Sequence, residues 1–254
     1  MIDVRCYADK NKCGAAAAAF GAEAIRKTIA ARGRATIVVA TGASQFEMLA
    51  ALVQAPGIDW SKVTAFHLDE YIGMSDAHPA SFRGYLKRRF CDKLPMLGAF
   101  HYIRGDAPDL GKEIARLNAL MDRDPIDVMF AGIGENGHLA FNDPPADFDT
   151  AAAFKVVRLD DRCRQQQFGE GWFKTFDEVP SEAISMTVKR IISARTIIVT
   201  VPDARKADAL HAVLDGSVTN MCPASILQNH ADCHLFIDVP AAGNLTTKPA
   251  ILVA

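Results

Sequence analysis

Three segments place proton-moving or anion-holding side chains directly after a short apolar run. The first is Thr41-Gly42-Ala43-Ser44, after Thr36–Ala40 (TIVVA). Gly42 permits a tight turn, and Ser44 can cap the helix that follows. Backbone N–H groups at a helix start cradle phosphate, helped here by the Thr41 and Ser44 hydroxyls. Plain capping is the alternative reading. The second segment is Asp69-Glu70-Tyr71, after Val63–Leu68 (VTAFHL). Two adjacent acids at a strand end are costly to bury without work or partners. Successive residues point in different directions, so one of them faces a ligand. A helix cap or a salt-bridged turn is the competing role. The third segment runs from Gly132 to Pro145, after Ile126–Ala131 (IDVMFA). Gly132, Gly134 and Gly137 match G-x-G-x-x-G formally. A dinucleotide fingerprint needs a helix opening at its third glycine. Asn142-Asp143-Pro144-Pro145 follows too soon to leave room for one. The glycines point instead to close approach between backbone and ligand. His138 and Asp143 can form an imidazole–carboxylate pair in which the acid orients the ring and tunes its basicity. Lys206, near the start of the helix after Thr196–Val201, occupies the same kind of edge. A solvated surface lysine is its alternative.

The elements that must position these residues are legible as short apolar runs with helical periodicity between them. The runs already named, with His234–Val239 (HLFIDV), predict buried strands. Ala15–Ala31, Ser44–Val53, Ser81–Phe90, Gly111–Met121 and Ala204–Leu214 predict amphipathic helices. This alternation predicts an α/β fold: a single-domain, open, mostly parallel sheet with helices on both faces, a Rossmann-like three-layer arrangement. Ligands bind such sheets beyond the carboxyl ends of the strands. One domain spans residues 1–254. The segment Asp143–Pro180, with prolines at both ends and the polar run DDRCRQQQ, reads as a lid excursion with too few apolar residues for a core of its own.

Bulk properties exclude several classes. The chain has 254 residues, 50% hydrophobic and 23% charged, as an ordinary globular domain does. Its net charge of −2 gives no global field for nucleic acid or anionic membranes, so neither is an expected partner. Six cysteines at irregular spacing, without a CxxC pair, fit reduced thiols in the cytoplasm. The N-terminus carries charges where a signal peptide needs an apolar run, and no stretch is long enough for a membrane span.

Together, ATGAS (Ala40–Ser44), FHLDEYIGMSDAHPASF (Phe66–Phe82), DVMFAGIGENGHLAFNDP (Asp127–Pro144) and RKADALHAVLDGSVTNMCPASILQNH (Arg205–His230) resemble the glucosamine-6-phosphate deaminase family. That family belongs to a larger group that includes the 6-phosphogluconolactonases. The resemblance implies a small-molecule substrate, a 2-amino-2-deoxyhexose 6-phosphate. His138 would open the sugar ring by moving a proton at the ring oxygen, with Asn136 and Asp143 beside it. Asp69 would take the C2 proton and deliver a proton to C1. Water would then release ammonia from the imine equivalent. Thr41, Gly42, Ala43, Ser44 and Lys206 fall at the family's phosphate-binding positions. Glu70, Gly134, Gly137, Arg164 and Gln167 are further substrate-binding candidates. No redox cofactor is required, no metal-ligand cluster is visible, and a homo-oligomer is left open.

The chain departs from the family pattern at three places. Asn136 stands where many members have Asp, and Asp143 where they have Glu. In the lid, Gln167 and Phe168 stand where an arginine followed by two phenylalanines is common, with Arg162 or Arg164 as substitutes. These departures keep open a lactonase or a non-deaminating isomerase of another sugar phosphate, and a sugar-phosphate-sensing domain without catalysis.

Overall fold

The computed structural model describes residues 2–252. In chain order its elements are β1 (Asp3–Tyr7), α1 (Lys10–Arg32), β2 (Ala35–Val39), α2 (Phe46–Leu52), β3 (Val63–His67), β4 (Asp69–Tyr71), α3 (Phe82–Arg89), β5 (Ala99–His101) and α4 (Leu110–Met121). There follow β6 (Val128–Ala131), β7 (Phe154–Arg158), α5 (Asp161–Gly169), β8 (Glu182–Met186), α6 (Val188–Ile192), β9 (Thr196–Val201), α7 (Ala207–Leu214), β10 (Cys233–Asp238) and β11 (Ile251–Leu252).

Eight strands form one parallel sheet in the order β11-β1-β10-β9-β6-β2-β3-β5. Alternate residues of each strand feed opposite faces. Ile37 and Val39 of β2 join α1, α2 and α3 on one face, through Ala18, Ile25, Met48, Leu49 and Leu86. Val38 and Ala40 join α4, α6 and α7 on the other, through Leu117, Met121, Ile191 and Leu210. This is the expected three-layer arrangement, with both faces of the parallel sheet covered.

Helix ends follow local chemistry. Asp9 starts α1 by accepting from the amides of Asn11 (2.9 Å) and Lys12 (3.0 Å), earlier than the alanine run alone implied. Gly33 ends it in the left-handed region at φ 75°, with its amide on the Ile29 carbonyl.

Sequence order reverses between β2 and β6. From β2 the chain proceeds outward to β3 and β5; from β6 it proceeds the other way to β9 and β10. That pair is the topological switch point, and a ligand crevice forms at its carboxyl edge.

The segment 143–180 carries β7 and α5. β7 pairs with β8, and β8 with β4, in a separate three-stranded antiparallel sheet. Leu159, Cys163, Phe173 and Val179 of this part join an apolar cluster. The missing apolar partners come from elsewhere: Tyr71, Met74 and Phe141 complete it. Among the described residues no helix is long and apolar enough to cross a membrane.

Candidate active site

The carboxyl ends of β2, β3, β6 and β9 open onto one cavity of about 240 Å³. Its wall includes Thr41–Ser44, Asp69, Gly132–Glu135, His138 and Lys206, so the segments singled out in the sequence converge there. Lys10, Gln166, Gln167, Glu170, Asp203 and Arg205 complete the polar lining.

Asp69 and Glu70 divide as strand geometry dictates. Asp69 lines the cavity at 7% exposure, and its carboxyl makes no hydrogen bond among the described residues. Burial, and secondarily the neighbouring Glu70 charge, push it up to about 8. Glu70, expected among the substrate-binding residues, does not line the cavity. It is fully buried against the start of α3, accepting from the Arg83 amide (2.7 Å), the Phe82 amide (3.2 Å) and the Ser81 hydroxyl (2.8 Å). A carboxylate there satisfies the unpaired amides of a helix start.

The Gly132–Pro145 segment contains no helix. Gly137 turns it at φ 83°, the Gly137 amide donates to the Gly134 carbonyl (3.0 Å), and the Gly134 amide to the His138 carbonyl (3.0 Å). A Cβ at Gly134 would overlap the His138 ring, which explains that glycine sterically. His138 is buried and lines the cavity; its Nδ1 lies 3.2 Å from Asp143 Oδ1. The two groups are in contact, but the ring N–H direction misses the oxygen, so among the described residues Nδ1 has no aligned hydrogen-bond partner.

Asp143 and Asn136 stand outside the cavity wall. Asn136 accepts from the His138 amide (3.1 Å) and donates to Asp143 Oδ1 (3.1 Å) and Asp160 Oδ2 (3.3 Å). Asp143 also accepts from the Asp160 amide (2.9 Å). Burial works to raise the Asp143 carboxyl, but His138 and these donors outweigh it and hold it below the usual value. The shorter acid thus ties the His138 loop to the start of α5.

At the opposite end, Gly42 (φ 93°) opens a 3₁₀ turn, Ala43–Gln45, that runs into α2. Ser44 does not cap α2 as expected; its hydroxyl accepts from Gln45 Nε2 at 3.1 Å. Gln45 spans onward to the carbonyls of Ala131 (3.4 Å) and Thr200 (3.1 Å), binding the ends of β2, β6 and β9 together. Among the described residues the amides of Gly42, Ala43 and Ser44 donate to no protein acceptor. Lys206 is buried at 7% exposure and makes no ion pair within 4 Å among the described residues. Burial lowers it below a free lysine, while Glu135 and Glu170 pull the other way. A buried cation on the same wall as free amides has the chemistry to hold an anion. The turn before Lys206 repeats the Gly42 geometry with a non-glycine: Asp203 has φ 90°.

A family model described as "Glucosamine-6-phosphate isomerases/6-phosphogluconolactonase" matches residues 8–235. The chain belongs to that family. It is 34% identical over 217 residues to a glucosamine-6-phosphate deaminase of Streptococcus pneumoniae strain 70585, covering 85% of this chain and 90% of the relative. Among solved structures, a monomeric glucosamine-6-phosphate deaminase superposes with a TM-score of 0.85 at 28% identity, over 96% of this chain and all of the other. A putative 6-phosphogluconolactonase from Neisseria gonorrhoeae FA 1090 shares the fold, with a TM-score of 0.75 at 20% identity, over 94% of this chain and all of the other.

For this family member, two expectations from the lid need correction. Arg164 does not reach the cavity. Its guanidinium donates to the carbonyls of Val179 (3.0 Å) and Phe176 (3.3 Å) and stacks 4.3 Å over the Phe176 ring, fastening α5 to the chain after it. Arg162 is exposed and also lies outside the cavity wall. Gln167 does line the cavity, where its side-chain carbonyl accepts from the Tyr71 hydroxyl (2.7 Å). The cations on the wall besides Lys206 are Arg205 and Lys10, neither singled out from the sequence. Arg205 adjoins Lys206 and could have been found with it. Lys10 follows β1, whose half-exposed residues give no apolar run. Glu135 and Glu170, also on the wall, lie inside segments already marked but carry no pattern of their own. Gly137 lies outside the wall, beneath Cys222. Folding also brings ligand atoms of His138, Asp143 and Cys163 within 4.8 Å of one another.

Proposed function

We propose that this chain converts glucosamine 6-phosphate and water to fructose 6-phosphate and ammonia, in a reducing cytoplasm. The observation that carries this reading is the pairing, in one cavity, of a carboxyl raised to about 8 with an unpaired buried lysine. The first suits proton transfer at carbon, because a base works best near the ambient pH. The second suits a phosphate.

Lys206 and the amides of Gly42, Ala43 and Ser44 hold the phosphate, with the Thr41 and Ser44 hydroxyls beside them. His138 moves a proton at the ring oxygen, opening the sugar to its C1 aldehyde. Asp143 and Asn136 position His138 from behind. Asp69 removes the C2 proton, which the adjacent aldehyde acidifies, and returns a proton to C1. The resulting C2 imine adds water and expels ammonia. Gln167, held by Tyr71, supplies a neutral lid contact. Identity to the deaminases well above that to the lactonases supports this chemistry over lactone hydrolysis.

Purified protein given glucosamine 6-phosphate should release ammonia and fructose 6-phosphate in equal amounts. In deuterated water, substrate recovered early should carry deuterium at C2. Folded protein that releases no ammonia but speeds 6-phosphogluconolactone hydrolysis would overturn the proposal.

A further inference from the structure

At His138 the cavity wall adjoins a cluster that the proposed reaction does not use in full, whose other members lie off the wall. It consists of His138 Nδ1, an Asp143 carboxylate oxygen and the Cys163 thiol, all within 4.8 Å of one another. The three come from separate places: the turn after β6, the chain before β7, and the first turn of α5. His138 is 6% exposed and Cys163 1%. The buried Nδ1 has no aligned hydrogen-bond partner and lies 3.2 Å from the Asp143 oxygen. A buried polar atom without a partner is uncommon and costs stability.

We propose that His138, Asp143 and Cys163 form a site for one borderline-soft divalent cation with the chemistry of Zn²⁺, and that its occupation switches the enzyme off. The donor set decides the ion class. Imidazole, carboxylate and thiolate together suit zinc, whereas magnesium and calcium take oxygen ligands. Zinc bonds of about 2.0–2.3 Å place tetrahedral ligand atoms roughly 3.3–3.7 Å apart. The imidazole and carboxylate stand 3.2 Å apart, within about 0.1 Å of that range, so a small inward turn of the Cys163 side chain closes the set.

Binding displaces the thiol proton to water and fixes the imidazole as a neutral ligand through Nδ1. Nε2 then keeps its proton and cannot accept another, so His138 no longer cycles a proton at the sugar. Asp143, taken by the metal, also stops orienting the ring. The inhibition rests on the role of His138 proposed above; the metal binding does not.

Cobalt separates the two. Titrating the whole protein with Co²⁺ should give a thiolate-to-metal charge-transfer absorption that saturates at one equivalent and disappears when Zn²⁺ is added. Cys163→Ser should abolish the band and Cys222→Ser should leave it. X-ray absorption of the zinc-loaded unmodified protein should report one sulfur with nitrogen and oxygen ligands, and needs no variant to fold. In turnover, Zn²⁺ should inhibit, a chelator should restore activity, and Cys163→Ala should weaken inhibition by ten-fold or more. A band that survives Cys163→Ser, or a zinc shell without sulfur, overturns the site. A site that forms without slowing turnover overturns the switch and the role of His138 together.

Discussion

Asp69 and Glu70 are consecutive residues of one three-residue strand, yet their carboxyl groups have different surroundings. Asp69 faces the cavity without a hydrogen-bonding partner; Glu70 turns away and holds three donors from residues 81–83. Burial pushes both carboxyls up, but only Glu70 is surrounded by donors that an amide would leave unpaired, so the two amide substitutions have opposite expected effects.

Asp69→Asn should cut kcat by three or more orders of magnitude, because the amide cannot take the C2 proton. It should also stabilise the fold. The folded carboxyl, raised to about 8, keeps its proton while the unfolded one, near 3.8, has lost it. The folded state therefore binds more protons between pH 4 and 8, and stability falls as pH rises through that window. A full shift of this size corresponds to about 6 kcal/mol, and an amide that still wants hydrogen bonds recovers part of it, about 2–3 kcal/mol at pH 8. Thermal melting should give Asp69→Asn a higher Tm than the parent at pH 8, with the gap closing toward pH 5. In the parent, kcat/KM should climb with pH up to about 8, since only the carboxylate can act as base. A variant no more stable at pH 8, or with near-normal turnover, sinks the assignment.

Glu70→Gln should do the reverse. Burial raises the Glu70 carboxyl, and its donors oppose that shift, so losing the charge is not what costs stability. The cost is geometric: the amide puts an NH2 group against the donors of Ser81, Phe82 and Arg83, and a buried donor left unpaired costs about 1–3 kcal/mol, so a loss of about 1–3 kcal/mol is expected. Denaturant midpoints should fall accordingly. Turnover measured well below the melting temperature should fall less than ten-fold, because Glu70 touches no cavity surface.

How far the sequence disclosed this site depended on whether the relevant contact was local. Buried strands announce themselves by composition, so β2, β3, β6, β9 and β10 were legible, and with them the edge that carries Ser44, Asp69, His138 and Lys206. The half-exposed β1 and three-residue β5 have no such run, and Lys10 went unseen with β1. The fate of Glu70 turned on Ser81 and Arg83, more than ten residues away. That Arg164 faces Phe176 and Val179 instead of the cavity depends on how α5 lies over the chain that follows it. The His138, Asp143 and Cys163 cluster needs two loops and the first turn of α5 folded together, and no spacing rule reports that.

Gly134→Ala tests whether that glycine serves the histidine. Nothing in its backbone conformation demands glycine; the constraint is the imidazole lying against its α-carbon. An added methyl must push the ring toward the cavity or away from Asp143. Turnover should fall ten- to a hundred-fold, as expected when a catalytic group is misplaced by about an ångström. The fold should survive, since the overlap is with a side chain that borders open space. Unchanged kcat in the alanine variant would mean that His138 has no required position.

Lys206→Met separates the buried cation from its exposed neighbour. Lys206 is 7% exposed and unpaired, so a phosphate meeting it is poorly screened. Arg205, with a side chain 52% exposed, already binds Asp203 at 3.2 Å and lies in reach of salt. Methionine keeps the length and apolar stem of lysine and removes only the charge. A charge-assisted contact of about 2–3 kcal/mol predicts a KM for glucosamine 6-phosphate raised roughly 30- to 150-fold, with kcat changed much less. Arg205→Met should raise KM less than ten-fold, and that effect should vanish at 0.5 M salt. Unphosphorylated glucosamine should be turned over equally poorly by parent and Lys206→Met. If the two substitutions weaken binding equally, or if Lys206→Met leaves KM unchanged, the phosphate does not sit at the β9 edge.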